Sequence, residues 1–175
     1  MNKYTIGVLS DTHLDARSID ENSGMFFRLK KIADKFFKKV DLILHAGDIE
    51  SIRVIEFLND YAPTIFVPGN GDIEEPIKKE PEIRIIDKNS ISFLPDGLKI
   101  AMAHERKKLF SYGSDPSINL FIFGHSHMPS IELYEHQYWI NPGSVKRPCG
   151  DIKKTSIAII EISEKIEVII EYFTD

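Results

Sequence analysis

Five short apolar runs in this chain each stop at a cluster of Asp, His, Asn and Gly, and this recurrence constrains the fold more than any other feature. Tyr4 to Leu9 runs into Ser10-Asp11-Thr12-His13, and Asp41 to Leu44 into His45-Ala46-Gly47-Asp48. Thr64 to Val67 runs into Pro68-Gly69-Asn70-Gly71-Asp72. Leu98 to Ala103 ends at His104, and Leu120 to Phe123 at Gly124-His125-Ser126-His127. Each run has the length and the apolar or β-branched make-up of a buried strand. Two helical patterns separate the first three. Met25, Phe26, Leu29, Ile32, Ala33, Phe36, Phe37 and Val40 recur at spacings of three and four from Ser23 onward. Ser51 stands where it would cap a second helix through about Tyr61, with Ile52, Ile55, Leu58 and Phe57 inward. Strand–helix–strand–helix–strand at this spacing makes parallel βαβ units, whose functional loops gather at the strands' C-terminal edge. That rule brings Asp11, His13, Asp48 and Asn70 to one rim.

The remainder changes character. Glu74 to Pro81 is charged and proline-containing and reads as a surface connection. Ile83 to Ile86 and Ile91 to Leu94 read as strands before a Pro95-Asp96-Gly97 turn. Hairpins are expected at Ile131–Tyr134 with Tyr138–Ile140, and at Thr155–Ile162 with Lys165–Phe173. The first part is therefore βαβ and the second mostly antiparallel β. No internal repeat or linker divides the chain, so residues 1–175 read as one domain.

Composition narrows the function. With 175 residues, 42% hydrophobic and 28% charged, the chain can bury a core without staples. A formal net charge of −5 argues against non-specific binding to nucleic acid or anionic membranes. The one cysteine, Cys149, excludes an internal disulfide, and the six residues before Ser10-Asp11 are too short for a membrane span or signal core. A cytoplasmic location is the expectation. A homo-oligomer stays open. The Lys and Arg residues on the first helix (Arg28, Lys30, Lys31, Lys35, Lys38, Lys39) read as a solvated face.

One strand ending in Asp or His is weak evidence, because a helix cap or a surface imidazole explains it equally well. Five, with no thiolate among them, make a mixed nitrogen and oxygen site for two metals the economical explanation. Two divalent cations about 3.5–4 Å apart need a shared carboxylate and clamp a phosphoryl group. The sequence shows which residues are available but not which one bridges. His45 reads as an orienting partner rather than a ligand, and His136, in a hairpin turn, as exposed.

Asp11-Thr12-His13, Gly47-Asp48, Gly69-Asn70, His104 and Gly124-His125-Ser126-His127 resemble, in order, the motifs of the calcineurin-like metallophosphoesterase superfamily. Gly69-Asn70-Gly71-Asp72 and Ile140-Asn141-Pro142-Gly143-Ser144 resemble its small YfcE-type phosphodiesterase branch, close also to the Vps29 scaffold proteins. The resemblance implies an α/β, four-layer αββα sandwich of two mixed sheets flanked by helices. It implies one metal on Asp11, His13, Asp48 and His127. A second would lie on Asp48, Asn70, His104 and His125, with Asp48 bridging. Asp48, Asn70 and His104 would be the catalytic residues. The ligands suit Mn, Ni, Fe, Co or Zn, Mn first, better than Mg or Ca. The reaction implied is in-line attack on a small or nucleotide-like phosphodiester by a metal-bridging hydroxide. A phosphomonoesterase and a non-catalytic protein-binding scaffold are the alternatives.

Two positions depart from the pattern. Many superfamily members carry a His after the motif Asn, able to protonate the leaving group, and here that place is Gly71. The usual His-Gly-His becomes His104-Glu105-Arg106. Arg106 either holds a phosphate oxygen bidentately or faces solvent in its charged run.

Overall fold

The computed structural model describes residues 3–19, 24–146 and 154–173. It contains two five-stranded mixed sheets. Strands β1 (Tyr4–Leu9), β2 (Leu42–His45) and β3 (Thr64–Phe66) are parallel neighbours, as the βαβ pattern predicts. Helices α1 (Gly24–Ile32) and α2 (Ile52–Asn59) provide the crossovers. Ser23, the predicted start of α1, lies outside the described residues. The last hairpin, β9 (Thr155–Ile162) and β10 (Ile166–Phe173), joins this first sheet antiparallel to β1, giving the order β10-β9-β1-β2-β3.

The second sheet has the order β4 (Ile83–Ile86), β5 (Ile100–Ala103), β6 (Leu120–Ile122), β8 (Gln137–Asn141), β7 (Ser130–Tyr134). Here the reading of mostly antiparallel strands needs correction. The hairpins are antiparallel, but β5, β6 and β8 run parallel to one another. Their C-terminal ends, like those of β1 to β3, meet at one edge of the sandwich.

Three apolar clusters define four layers. One lies between the sheets and includes Ile6, Val8, Leu42 and Leu44 from the first with Ile100, Met102, Leu120, Ile122 and Ile140 from the second. A second packs Leu9, Ile43 and Ile157 against Leu29 and Ile32 of α1 and Ile55 and Leu58 of α2. On the far side, Ala101, Phe121 and Trp139 lie under Leu109 of a 3₁₀ helix, Arg106–Tyr112. The ring planes of Phe121 and Trp139 stack with centroids 4.2 Å apart. This is the αββα sandwich. Helix α1 continues into one widened π turn, Ala33–Phe37, which carries the Phe37 ring onto Gly7, where a Cβ would stand 2.7 Å from it.

Two local expectations fail. Ile91–Leu94 forms turns rather than a strand, because the Asp87 carboxylate accepts from the N–H groups of Asn89 and Ser90 and closes a turn first. Leu94 is still buried, so the apolar spacing reports burial and not an extended backbone. The presumed surface connection holds a short helix, α3 (Glu75–Lys78), with Pro in its first turn and Ile77 fully buried beneath it. Among the described residues no helix is long and apolar enough to cross a membrane.

Candidate metal centre

Each strand end places its polar residues by a specific local device. At the end of β1 the Asp11 N–H donates to Gly47 O (3.0 Å) and the His13 N–H to Asp48 O (3.0 Å), binding the first loop to the second. Gly69 and Gly124 are required by crowding. A Cβ on Gly69 would collide with Asp48, and one on Gly124 would collide with Ser10 and reach Asp11. The Gly124 N–H donates to His104 O (2.9 Å), joining the ends of β5 and β6.

Asp11, His13, Asp48 and His127 each offer one donor atom within 4.8 Å of the others. Asp11 Oδ1 lies 3.1 Å from His127 Nε2 and 4.0 Å from His13 Nε2. Asp48 Oδ2 lies 3.6 Å from His13 Nε2. The other oxygen of Asp48 faces a second group, 3.5 Å from His104 Nε2. There Asn70 Oδ1 lies 3.2 Å from His104 Nε2 and 2.9 Å from His125 Nδ1. The structure thus brings all seven predicted residues together, in two groups that meet at Asp48.

A cation fits the first group on an observation independent of any motif. Among the described residues, His13 Nε2 is buried with no hydrogen-bond partner, and Asp11 Oδ1 is buried with only the His127 ring nitrogen, 3.1 Å away, beside it and no hydrogen bond formed. Leaving such groups unsatisfied costs about 1–3 kcal/mol each, and a cation between them removes the cost. The backbone supports the same view. Asp11, His13, Asp48, His125 and His127 all have positive φ, from 47° to 69°. This left-handed region is uncommon for side-chain-bearing residues and costs roughly 1–3 kcal/mol at each. Five strained donors at one point mean that the loops hold the cluster against its own preference.

Electrostatics follow the same arrangement. Burial alone would raise the pKa of Asp48, but hydrogen bonds from His104 and the Gly71 N–H (2.7 Å) hold it down at about 2. Burial opposes a charge on His104, yet the Asp48 hydrogen bond and charge outweigh it and raise that imidazole above its ordinary value. Its Nδ1 N–H donates to Ala46 O (2.7 Å). His45 is fully buried, and that burial lowers its pKa to about 3. Its Nδ1 accepts from the Gly47 N–H (3.2 Å) and its Nε2 donates to Thr12 Oγ1 (3.0 Å), tying the residue between Asp11 and His13 to the second strand end.

Several supporting residues carry no motif signal. The Nδ1 N–H of His13 donates to Glu50 (2.7 Å). Asp72 accepts from Ile49 N–H (2.8 Å), Glu50 N–H (2.6 Å) and Gly69 N–H (2.7 Å), clamping two loops together. Burial pushes its carboxyl up, against the pull of those three donors. Asn141 donates to Gly124 O (2.9 Å) and Ser126 Oγ (3.0 Å), and Ser144 donates to Asp11 O (2.9 Å). The Lys146 ammonium donates to His13 O. Asn141 and Ser144 lie in the Ile140–Ser144 stretch that the family resemblance singles out, and they brace the site. Arg106 forks onto Glu132 (2.6 and 2.7 Å) and lies over Phe123 and Trp139, with guanidinium-to-centroid distances of 5.3 and 5.4 Å. His136 is exposed and donates to Pro116 O (2.7 Å).

Known proteins give this geometry a context. A sequence profile of the calcineurin-like phosphoesterase superfamily domain matches residues 4–165. A probable metallophosphoesterase of Methanocaldococcus jannaschii is 32% identical over 163 residues, covering 93% of this chain and 78% of that one. Among solved structures, a novel archaeal phosphodiesterase superposes with a TM-score of 0.71 at 24% identity, covering 97% of this chain and 99% of that one. Vps29 of Entamoeba histolytica complexed with zinc superposes with a TM-score of 0.62 at 18% identity, over 97% of this chain and 99% of that one. The profile match over nearly the whole chain, with a relative above 30% identity, places the protein in the calcineurin-like phosphoesterase superfamily.

Proposed function

We propose that the protein is a phosphodiesterase that uses two divalent transition-metal ions, Mn first among the candidates, to hydrolyse small or nucleotide-like diesters. The observation that supports this best is Asp48, whose two oxygens face different ligand groups at 3.6 and 3.5 Å. In this reading Asp11, His13, Asp48 and His127 hold one ion, and Asp48, Asn70, His104 and His125 the other. When bound, the pair supplies Lewis acidity at a phosphoryl oxygen and a water acidic enough to attack at neutral pH. The chain's own residues orient and support. Asn70 and His104 would help hold the second ion, and the clamp of Asp72 keeps the Asn70 loop on Asp48. No proton donor follows Asn70. Gly71 offers only its N–H, already given to Asp48, and both oxygens of Asp72 accept from backbone. Without an acid the site favours esters whose leaving groups are stable as anions. Arg106 reaches a substrate only by exchanging Glu132 for phosphate.

A non-catalytic role in protein binding is the competing reading, prompted by the likeness to Vps29. Metal uptake does not separate the two, because the Vps29 of the comparison also holds zinc. Hydrolysis does. Protein loaded with Mn should approach two equivalents by elemental analysis and should cleave nitrophenyl diesters faster than nitrophenyl monoesters. Two equivalents of metal with no turnover on any ester would leave the scaffold reading. Faster turnover of monoesters would make the protein a phosphomonoesterase.

A further inference from the structure

We infer that Glu50 is a positioning residue, whose carboxylate fixes the His13 ring and so sets the affinity of the first ligand group for a divalent cation. The inference rests on the proposed metal centre. Glu50 Oε1 lies 2.7 Å from His13 Nδ1. A carboxylate only accepts, so Nδ1 carries a proton, and in the neutral ring, the form that binds a cation, Nε2 holds the lone pair. That Nε2 is buried, without a hydrogen-bond partner among the described residues, and lies 3.6 Å from Asp48 Oδ2 and 4.0 Å from Asp11 Oδ1. Three electron-rich atoms converge with nothing to separate them. Glu50 imposes that convergence, because the other tautomer would turn Nε2 into a donor toward the two carboxylates and leave no lone pair for a cation.

The carboxylate is itself held in place. Glu50 follows Asp48 by two residues and has φ +73°, a left-handed conformation. Asp72 Oδ1 accepts from its N–H at 2.6 Å and from the preceding N–H of Ile49 at 2.8 Å. The side chain is 26% exposed, so solvent screens it only in part. His104 supplies the contrast. Its Nδ1 donates to a neutral carbonyl, Ala46 O. A charged acceptor makes the opposite ring nitrogen the stronger ligand, and replacing such a partner typically costs 10–100-fold in metal affinity.

The test is Mn²⁺ titration by calorimetry of the full chain as wild type, Glu50→Ala and Glu50→Gln. Glu50→Ala should weaken the tighter binding step by about 10–100-fold and leave the weaker step where it was. Glu50→Gln keeps an oxygen that accepts the Nδ1 proton but loses the charge, so it should recover part of that loss. Melting in the presence of a chelator gives the readout for a merely structural role. A lower melting temperature with unmoved Mn affinity overturns the inference, as does equal weakening of both steps. Wild-type protein that takes up no Mn overturns the metal centre and Glu50's role with it. Wild type that binds Mn but cleaves no phosphoester overturns the proposed reaction alone.

Discussion

The two groups of candidate ligands that meet at Asp48 are built differently. In the first, Asp11, His13 and Asp48 are buried, two carboxylates take part, and two of the candidate ligand atoms, Asp11 Oδ1 and His13 Nε2, form no hydrogen bond among the described residues. In the second, Asn70 and His125 are exposed, and one amide oxygen already lies within hydrogen-bond distance of both imidazoles. Behind the first stands the charged Glu50, and behind the second a neutral carbonyl. A cation entering the first group meets atoms that need it. One entering the second must compete with contacts the residues already make. A carboxylate common to both groups therefore does not make them equal, and the first group should fill first.

The largest effect should come from removing what the groups share. Asp48→Ala is expected to lose both metal equivalents. Because the ions supply several kcal/mol of transition-state stabilisation, at 1.36 kcal/mol per tenfold, kcat/KM on a nitrophenyl diester should fall by about 10³-fold or more. Elemental analysis beside the rate measurement checks it. An Asp48→Ala protein that keeps one tight equivalent would show that the groups are independent.

Single-ligand changes sharpen the comparison. His127→Ala should weaken the tighter Mn step by at least about 100-fold, since even a supporting partner is worth 10–100-fold. His125→Ala should leave that step intact and remove the weaker one. Calorimetric titration of both variants decides it, and the reverse pattern would exchange the ranking of the two groups.

The candidate ligands stood out in the sequence because each sits at a strand end, where an apolar run marks the place. Their supports were legible only in part: His45 and the Asn141–Ser144 stretch stood out, but Glu50 and Asp72 did not. Asp72 reaches Glu50 across 22 residues and Glu50 reaches His13 across 37, distances at which no local pattern survives. The direction of β5, β6 and β8 was equally hidden, because three to five apolar residues look the same parallel or antiparallel. Ile91–Leu94 failed for a local reason, the turn closed by Asp87. Gly71 has no side chain to serve as an acid, and the structure adds why the place is hard to refill. A Cβ there would stand 3.2 Å from Asp48 Oδ1, so Gly71→His disturbs the shared carboxylate and needs Gly71→Ala as its control.

A smaller effect separates the groups by pH. His45 supports the first group through Thr12, and its pKa falls from 6.5 to about 3 in the fold. The unfolded chain therefore binds a proton that the folded chain refuses over that window. Stability is complete above about pH 6.5 and declines as pH falls toward 3, by a few kcal/mol at about 1.4 kcal/mol per unit. Urea unfolding in chelator at pH 7 and pH 5 should show the decline in wild type. His45→Gln, which cannot titrate, should show less of it. Equal slopes would mean that other groups carry the pH dependence.

The smallest effect concerns whether any charged side chain serves the second group as Glu50 serves the first. Arg106 is the candidate by sequence, two residues beyond His104. Its fork is closed on Glu132, whose other neighbour is the Tyr134 hydroxyl at 2.5 Å, and its face lies on Phe123 and Trp139. The side chains of the pair are 36% and 30% exposed, so screening holds the ion pair to about 1 kcal/mol or less. The aromatic contact adds about 0.5–1 kcal/mol. Arg106→Ala should therefore cost about 1 kcal/mol of stability, read by urea unfolding, and change kcat/KM on a nitrophenyl diester by less than about tenfold, the equivalent of 1.36 kcal/mol. Glu132→Gln makes the test two-sided. It frees the guanidinium, so a substrate-binding Arg106 would lower KM in Glu132→Gln and raise it in Arg106→Ala. A structural pair would lose stability in both variants and leave KM alone in each, and Arg106 would then be no partner of the second group.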